Sequence, residues 1–338
     1  MENVEPGAKM AKHNHHALAT CVPADVFDAY FAAGIRLVED REHARVALRN
    51  LSRNHAENRS RIGAAGGVDA VLTAMKRHES VADVQEEACL ALRWFCEDHA
   101  ENHSRIGEAG GVDAVLTAMR RHESVADVQE WACLALRNLS CDHAENQSCI
   151  GEAGGVDAVL TAMRRHESVA EVQEYACAAI DWLCQNHAEN QSRIGAAGGV
   201  DAVLTAMGRH ESVADVQEWA CLALGNLSRN HAENQSRIGA AGGVDAVLTA
   251  MRRHESVADV QEEACAALLD LSCDHAENQS RIGAAGGVDA VLTAMRRHES
   301  VAEVQEEACA ALHYLSRNHA ENQSRIGAAG GVDAVLKK

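Results

Sequence analysis

All four tryptophans of the chain, Trp94, Trp131, Trp182 and Trp219, lie in segments that repeat at a fixed interval, and large aromatic side chains are the usual anchors of binding surfaces. Tyr175 joins them. Acids accompany the set: Glu86, Glu130, Glu174, Glu218, Glu262 and Glu306 recur once per copy, and Glu263, Asp270 and Glu307 enrich the last two copies. Such a surface suits a ligand with an apolar or aromatic segment beside a basic one. The parts of a catalyst are not there. No phosphate loop, nucleophile–base constellation or isolated carboxylate pair appears, and nearly every polar residue recurs in six copies, which leaves a unique catalytic centre almost nowhere to be encoded. No catalytic residue, cofactor or metal site is therefore expected. Cys141, His143 and Cys149 have metal-like types at close spacing, but the His is present in every copy and the two Cys occupy variable columns, so coincidence is the simpler reading. His13, His15 and His16 read as part of a solvated tail.

The element that must position the aromatics is the segment 124–140, SVADVQEWACLALRNLS, whose close copies return every 44 residues. At 100° per residue of an α-helix, Val128, Ala132, Ala135, Leu136 and Leu139 form one stripe, and Trp131, Leu134, Arg137, Asn138 and Cys141 a neighbouring one. The first stripe hardly changes between copies. The second reads Glu87, Trp131, Tyr175, Trp219, Glu263, Glu307 in one column and Trp94, Asn138, Trp182, Asn226, Asp270, Tyr314 in another, with Arg93, Arg137, Asp181, Gly225, Leu269 and His313 the most variable of all. A constant scaffold carrying a variable face is the pattern expected of a binding module.

Composition sets the frame. A chain of 338 residues with a fixed period argues for one elongated repeat domain, whose copies bury themselves on their neighbours. Hydrophobic residues make up 47% but aromatics only 3%, so the interior is expected to be Ala, Leu and Val. A net charge of −19 disfavours nucleic acid and anionic membrane surfaces, both of which need a basic patch, and favours a neutral to basic partner. Six of the twelve cysteines share one repeat column and read as small buried hydrophobes. Without a secretory h-region or a long apolar run, the expected setting is intracellular, cytoplasmic or nuclear, and not secreted.

Taken in order, residues 1–21 read as a mobile tail and 22–62 as a degenerate N-terminal capping repeat that already carries Asn50 at a variable position. Residues 63–326 hold six full copies of three helices each. The last copy stops within its second helix, at 327–338, and its lack of divergence reads as truncation. Each copy carries its own punctuation: an Asp or Asn before HAEN, expected to N-cap the first helix with a Glu three residues on; a Gly-Gly pair that turns the chain; and Ser80 or its equivalents, expected to cap the third helix.

The run ENQSRIGAAGGVDAVLTAM…VQEWACLALRNLS resembles the armadillo repeat family over about residues 22–338, in a short first helix, an Ala-Gly turn, a second helix and a long third helix ending A-L-x-N-L. The repeat length falls within the roughly 40–47 residues of HEAT and armadillo units. The resemblance implies an all-α fold, a right-handed superhelical α-solenoid of three-helix armadillo-type repeats whose third helices line a concave groove. It also implies that the Asn of A-L-x-N-L, here Asn50, Asn138 and Asn226, clamps the backbone of an extended peptide. Trp94, Trp182, Asp270 and Tyr314 replace that Asn elsewhere, and Leu90, Leu134, Ala178, Leu222, Ala266 and Ala310 stand where the nuclear-import members carry a groove Trp, so recognition of nuclear signals in that manner is not implied.

The expected function is non-enzymatic binding of a protein or extended peptide in this groove, through Asn50, Glu87, Arg93, Trp94, Trp131, Arg137, Asn138, Tyr175, Asp181, Trp182, Trp219, Asn226, Glu263, Asp270, Glu307, His313 and Tyr314. The alternatives are recognition of a folded protein surface by the same face, and a structural scaffold assembling through its ends. Monomer or weak end-to-end self-association is expected.

Overall fold

The computed structural model describes residues 66–96 and 100–330. Among them eighteen α-helices follow one another in a strict short–middle–long order. In the second copy these are Ala100–Glu108, Gly111–Arg121 and Ala126–Ser140, and the long helices of the six copies are Ala82–Cys96, Ala126–Ser140, Ala170–Cys184, Ala214–Ser228, Ala258–Ser272 and Ala302–Ser316. Each long helix packs on the long helix of the next copy, and middle and short helices do likewise, so the molecule is an α-solenoid held together by neighbour contacts. The tail 1–21, the capping repeat 22–62 with Asn50, and residues 331–338 of the partial last copy lie outside the described residues.

The invariant stripe is the core. Val128, Ala132, Ala135, Leu136 and Leu139 are all buried, together with Val115, Leu116 and Met119 of the middle helix and Ile106 of the short one. Each fully buried Val, Leu or Ile contributes about 1.5–3 kcal/mol over its exposed state. The cysteine column fills gaps between long helices: Cys89, Cys133, Cys177, Cys221 and Cys265 are buried free thiols. Burial raises the Cys89 thiol to about 12 and Cys177 likewise, which makes them inert apolar filler.

Local geometry corrects two of the capping expectations. The Asp/Asn column, Asp142, Asn186, Asn230, Asp274 and Asn318, has φ between 49° and 56°, so it is restrained by the left-handed backbone that Asp and Asn tolerate best among side chains. The N-cap is the following histidine. His143 Nδ1 accepts the amide of Asn146 at 3.2 Å, which puts the ring proton on Nε2, and Nε2 donates to Ser104 Oγ of the preceding copy at 2.9 Å. The long helix starts after Val125, an extended residue without a side-chain cap, and not at the serine before it. What closes this corner is Gln129, whose Nε2 donates to Met119 O and His122 O at 3.1 and 2.9 Å and satisfies the end of the middle helix. The Gly-Gly pair divides its labour: Gly110 takes φ 81°, while a Cβ on Gly111 would stand 2.3 Å from Ile106 Cγ2.

Between copies the constant polar residues form ladders. Asn146 Nδ2 donates to His103 O of the preceding copy and to Leu139 O at 3.1 and 2.9 Å. Gln147 reaches forward to Trp182 O at 2.7 Å, and His122 Nε2 donates to Glu79 O at 2.7 Å. Arg165–Glu123 and Arg209–Glu167 add solvent-exposed ion pairs at 2.7 and 2.6 Å, each worth at most about 1 kcal/mol. These bonds fix the stagger of successive long helices, and with it the spacing of the variable columns.

Candidate functional site

The variable columns of consecutive long helices come together into one continuous surface. Its first four copies are aromatic. Trp131 and Tyr175, from adjacent copies, lie with ring centroids 6.1 Å apart and planes 32° apart, an offset contact of the favourable kind. Trp131, Tyr175 and Trp219 rest against the core on one side and are half-exposed on the other. The guanidinium of Arg93 sits 3.9 Å from the Trp94 ring centre. Arg137 reaches across two copies, its guanidinium 5.8 Å from the Trp182 ring centre and 5.2 Å from that of Trp219, and donates Nη1 to Asn138 Oδ1 at 2.9 Å. Further along, His313 stands edge-on to Tyr314 at 5.1 Å.

Four residues expected on the ligand-facing surface are buried: Asn138, Asp181, Asn226 and Asp270 are 7%, 3%, 4% and 4% exposed. The reason is that each makes a bond within the chain. Asn138 Nδ2 donates to Arg93 O at 3.3 Å, Asn226 Nδ2 donates to Asp181 Oδ1, and Asp270 accepts from Arg229 through Nε at 3.2 Å and Nη2 at 2.9 Å. The two asparagines whose counterparts clamp a ligand backbone in the resemblance thus join neighbouring long helices here. Leu134, on the same stripe, is buried as well. Glu87, Arg93, Trp94, Trp131, Arg137, Tyr175, Trp182, Trp219, Glu263, Glu307 and Tyr314 are half-buried and His313 is exposed. Arg229 was not among the residues expected at the site, although its column holds Cys141, Gln185, Arg229, Cys273 and Arg317 and is therefore as variable as the others.

The acids are crowded. Glu130, Glu174 and Glu218 are each pushed up to about 7, first by desolvation and then by the acids around them, chiefly Glu171 at Glu130, Asp215 at Glu174 and Asp259 at Glu218. Glu263 rises to about 8 for the same reasons, with Glu262 its main charged neighbour. Burial lifts Asp181 to about 6 against the hydrogen bond from Asn226 and the attraction of Arg137 and Arg229. This stripe gains negative charge as the pH climbs through neutrality, and a cationic group placed beside it relieves the repulsion.

Cys141, His143 and Cys149 do not converge on a metal-holding group, since both ring nitrogens of His143 are engaged in the cap. Two clefts, of about 290 and 200 Å³, lie between successive middle helices, lined in one case by Met75, Glu79, Gln85 and Asp113 and in the other by Met163, Glu167, Gln173 and Asp201. They are made of the same repeated columns and so belong to the scaffold. No helix of the described residues is long and apolar enough to cross a membrane.

Repeated helices in neighbour contact, with their aromatic and acidic diversity carried on the long helices, define an α-solenoid repeat scaffold. Residues 96–286 match the family model described as LRRK2 ARM repeat, more than half of the 338 residues, and the chain belongs to the armadillo repeat family. Among solved structures, an engineered protein matches with a TM-score of 0.78 at 27% identity, over 93% of this chain and 73% of its own. A structure concerned with the phosphorylation-controlled interaction between cadherin and beta-catenin matches with a TM-score of 0.68 at 19% identity, over 96% of this chain and 64% of that one. A designed armadillo repeat protein in complex with peptide (KR)4 matches with a TM-score of 0.62 at 19% identity, over 74% and 99%. At those lower identities the likeness is one of fold. A search of curated proteins returns no match.

Proposed function

We propose that the variable face of the long helices binds an extended peptide with apolar or aromatic residues beside basic ones, without catalysis. The observation that carries this is the half-exposed aromatic run of Trp94, Trp131, Tyr175, Trp182 and Trp219 beside the ionisable stripe of Glu130, Glu174 and Glu218, on a scaffold whose constant polar columns are committed to bonds between copies. Helices pack about 8–10 Å apart and an extended chain advances about 3.3 Å per residue, so each copy meets two or three ligand residues. Buried Asn138, Asp181, Asn226 and Asp270 act here as supports of that face. A partner of this chemistry and a reducing, intracellular setting belong to the same reading, the latter supported by the buried free thiols.

The test is selection from a random peptide library on the full chain, followed by titration of the selected peptides. Enrichment of aromatic and basic residues is expected, with affinity that weakens with salt and falls about thirtyfold in Trp131→Ala and Trp219→Ala. Equal affinity for acidic peptides, or tryptophan variants that bind as the parent does, would overturn the reading.

A further inference from the structure

The fourth copy lacks two side chains that the same columns supply in its neighbours. Its middle helix ends Gly208-Arg209 where those of the third and fifth copies end in two arginines, and its long helix has Gly225 where the others carry Arg93, Arg137, Asp181, Leu269 and His313. Neither glycine has the left-handed backbone that would demand it. Gly208 faces open space, whereas Gly225 lies against the fifth copy, where an added Cβ would meet Asp270 Oδ2 at 3.3 Å and Ala267 Cα at 3.6 Å. Each also loosens its own helix relative to an alanine.

Both absences bear on one joint, that between the fourth and fifth copies. On the side of the middle helices, Arg120 Nη2 of the second copy donates to Ala153 O of the third at 2.6 Å, and Arg164 Nη2 of the third donates to Ala197 O of the fourth at 3.0 Å. Gly208 has no donor to send to the fifth copy. Arg252 and Arg296 keep the side chain but give it to Thr249 and Thr293 of their own helices, so Gly208 alone removes the donor altogether. On the side of the long helices the joint is closed by Arg229, which forks onto Asp270 through Nε at 3.2 Å and Nη2 at 2.9 Å. Asn234 Nδ2 on Gln191 O and His254 Nε2 on Glu211 O, at 3.0 and 2.9 Å, are constant bonds that keep the two copies together whatever the fork does.

We infer that the joint between the fourth and fifth copies is a hinge of the solenoid, latched by the Arg229–Asp270 fork. The latch is reversible because it is ionic and half open to water: Asp270 is buried, but the Arg229 side chain is 44% exposed. Its release leaves a buried carboxylate without its cation, which drives the joint apart until water reaches Asp270. The hinge divides the variable face, with Trp131, Tyr175, Trp182 and Trp219 before it and Glu263, Asp270 and Glu307 after it. Swinging there changes the distance between the aromatic and the acidic parts and leaves each part internally intact.

The experiment places a pair of spin labels, carried on a bioorthogonal amino acid, at exposed Ala188 and Ala276 of the full chain, which spans the joint, or at exposed Ala100 and Ala188, the equivalent pair before it. Pulsed dipolar spectroscopy then reads each distance distribution. The later pair is expected to be about twofold wider than the earlier one. Arg229→Gln is expected to widen it further and Gly208→Arg to narrow it toward the earlier pair, while both leave the Ala100–Ala188 distribution as it was. The two substitutions use residues that the same columns already hold, Gln185 and Arg164, so the scaffold accepts them. Equal widths for the two pairs would overturn the inference, as would an Arg229→Gln variant without effect on the later pair or one that widens both alike. No ligand enters the measurement, so the hinge and the peptide-binding reading stand or fall separately.

Discussion

Asn234 shows what a constant polar residue does in this molecule. Its Nδ2 joins Gln191 O of one copy to Leu227 O of the next element at 3.0 and 2.9 Å, and its Oδ1 lies where a Cβ on Gly195 would stand, 2.1 Å away. Asn234→Ala therefore strips a partner from two buried carbonyls and is expected to cost about 1–3 kcal/mol in chemical denaturation. Gly195→Ala is expected to cost a similar amount by overpacking, whereas Gly208→Ala, in a helix with open space around it, should gain about 0.5–1 kcal/mol from helix propensity. If both alanines act alike, the close approach is not what holds glycine at the first position. At this scale the sequence displayed which residues are constant and concealed why. Asp142 was legible as a member of a two-letter column, yet capping and left-handed backbone both select Asp and Asn, and only the φ of 49° separates them. His143 was missed as the cap because an imidazole accepting an amide proton leaves no mark beyond its own recurrence.

Along an element, periodicity carried more. The stripe of Val128, Ala132, Ala135, Leu136 and Leu139 could be assigned to the core because apolar residues at the helical period mark a buried face, and all five are buried. The neighbouring stripe was only half legible. Spacing places Asn138 and Trp131 on one face, but whether a side chain there meets solvent or the next copy depends on the stagger of the helices, which the inter-copy ladders set and no single helix encodes. The acids follow the same logic. Glu174 has its carboxyl raised from 4.5 to about 7, so the folded protein retains a proton that the unfolded chain releases above the lower value. Stability from this group is greatest below that window, declines as the pH climbs through it, and stays reduced above about 7. Glu174→Gln is thus expected to raise the melting temperature at about pH 8 and to leave it nearly unchanged at about pH 5. A variant equally stabilising at both would show that the ionisation of Glu174, opposed first by its desolvation and then by the neighbouring acids, is not the cause.

For the whole molecule, copies that touch only their neighbours make length a variable and the cross-section a constant. Excising residues 231–274 joins Asn230 to His275, two positions with the same columns on either side, so every class of inter-copy bond is re-formed: Ser192, which now meets His231 Nε2 at 2.9 Å, would meet the equivalent nitrogen of His275. The shortened chain is expected to fold with unchanged helicity per residue and a smaller maximum dimension in solution scattering, losing about 2–6 kcal/mol, the contribution of some 44 ordered residues. The excision also dissects the face. It removes Glu263 and Asp270 and leaves Trp131, Tyr175 and Trp182 on unaltered neighbouring long helices, whereas the helix of Trp219 exchanges its following neighbour Ala258–Ser272 for Ala302–Ser316; the contacts of Arg137 with the two rings lie on the retained helices. Binding of peptides selected on the full chain should then keep its dependence on the tryptophans and lose part of its dependence on salt, because the acids removed act through screened charge and the rings through contact. Collapse of helicity on excision would mean that the copies are not interchangeable, and an unchanged salt response would mean that the ligand does not extend to the acidic end of the face.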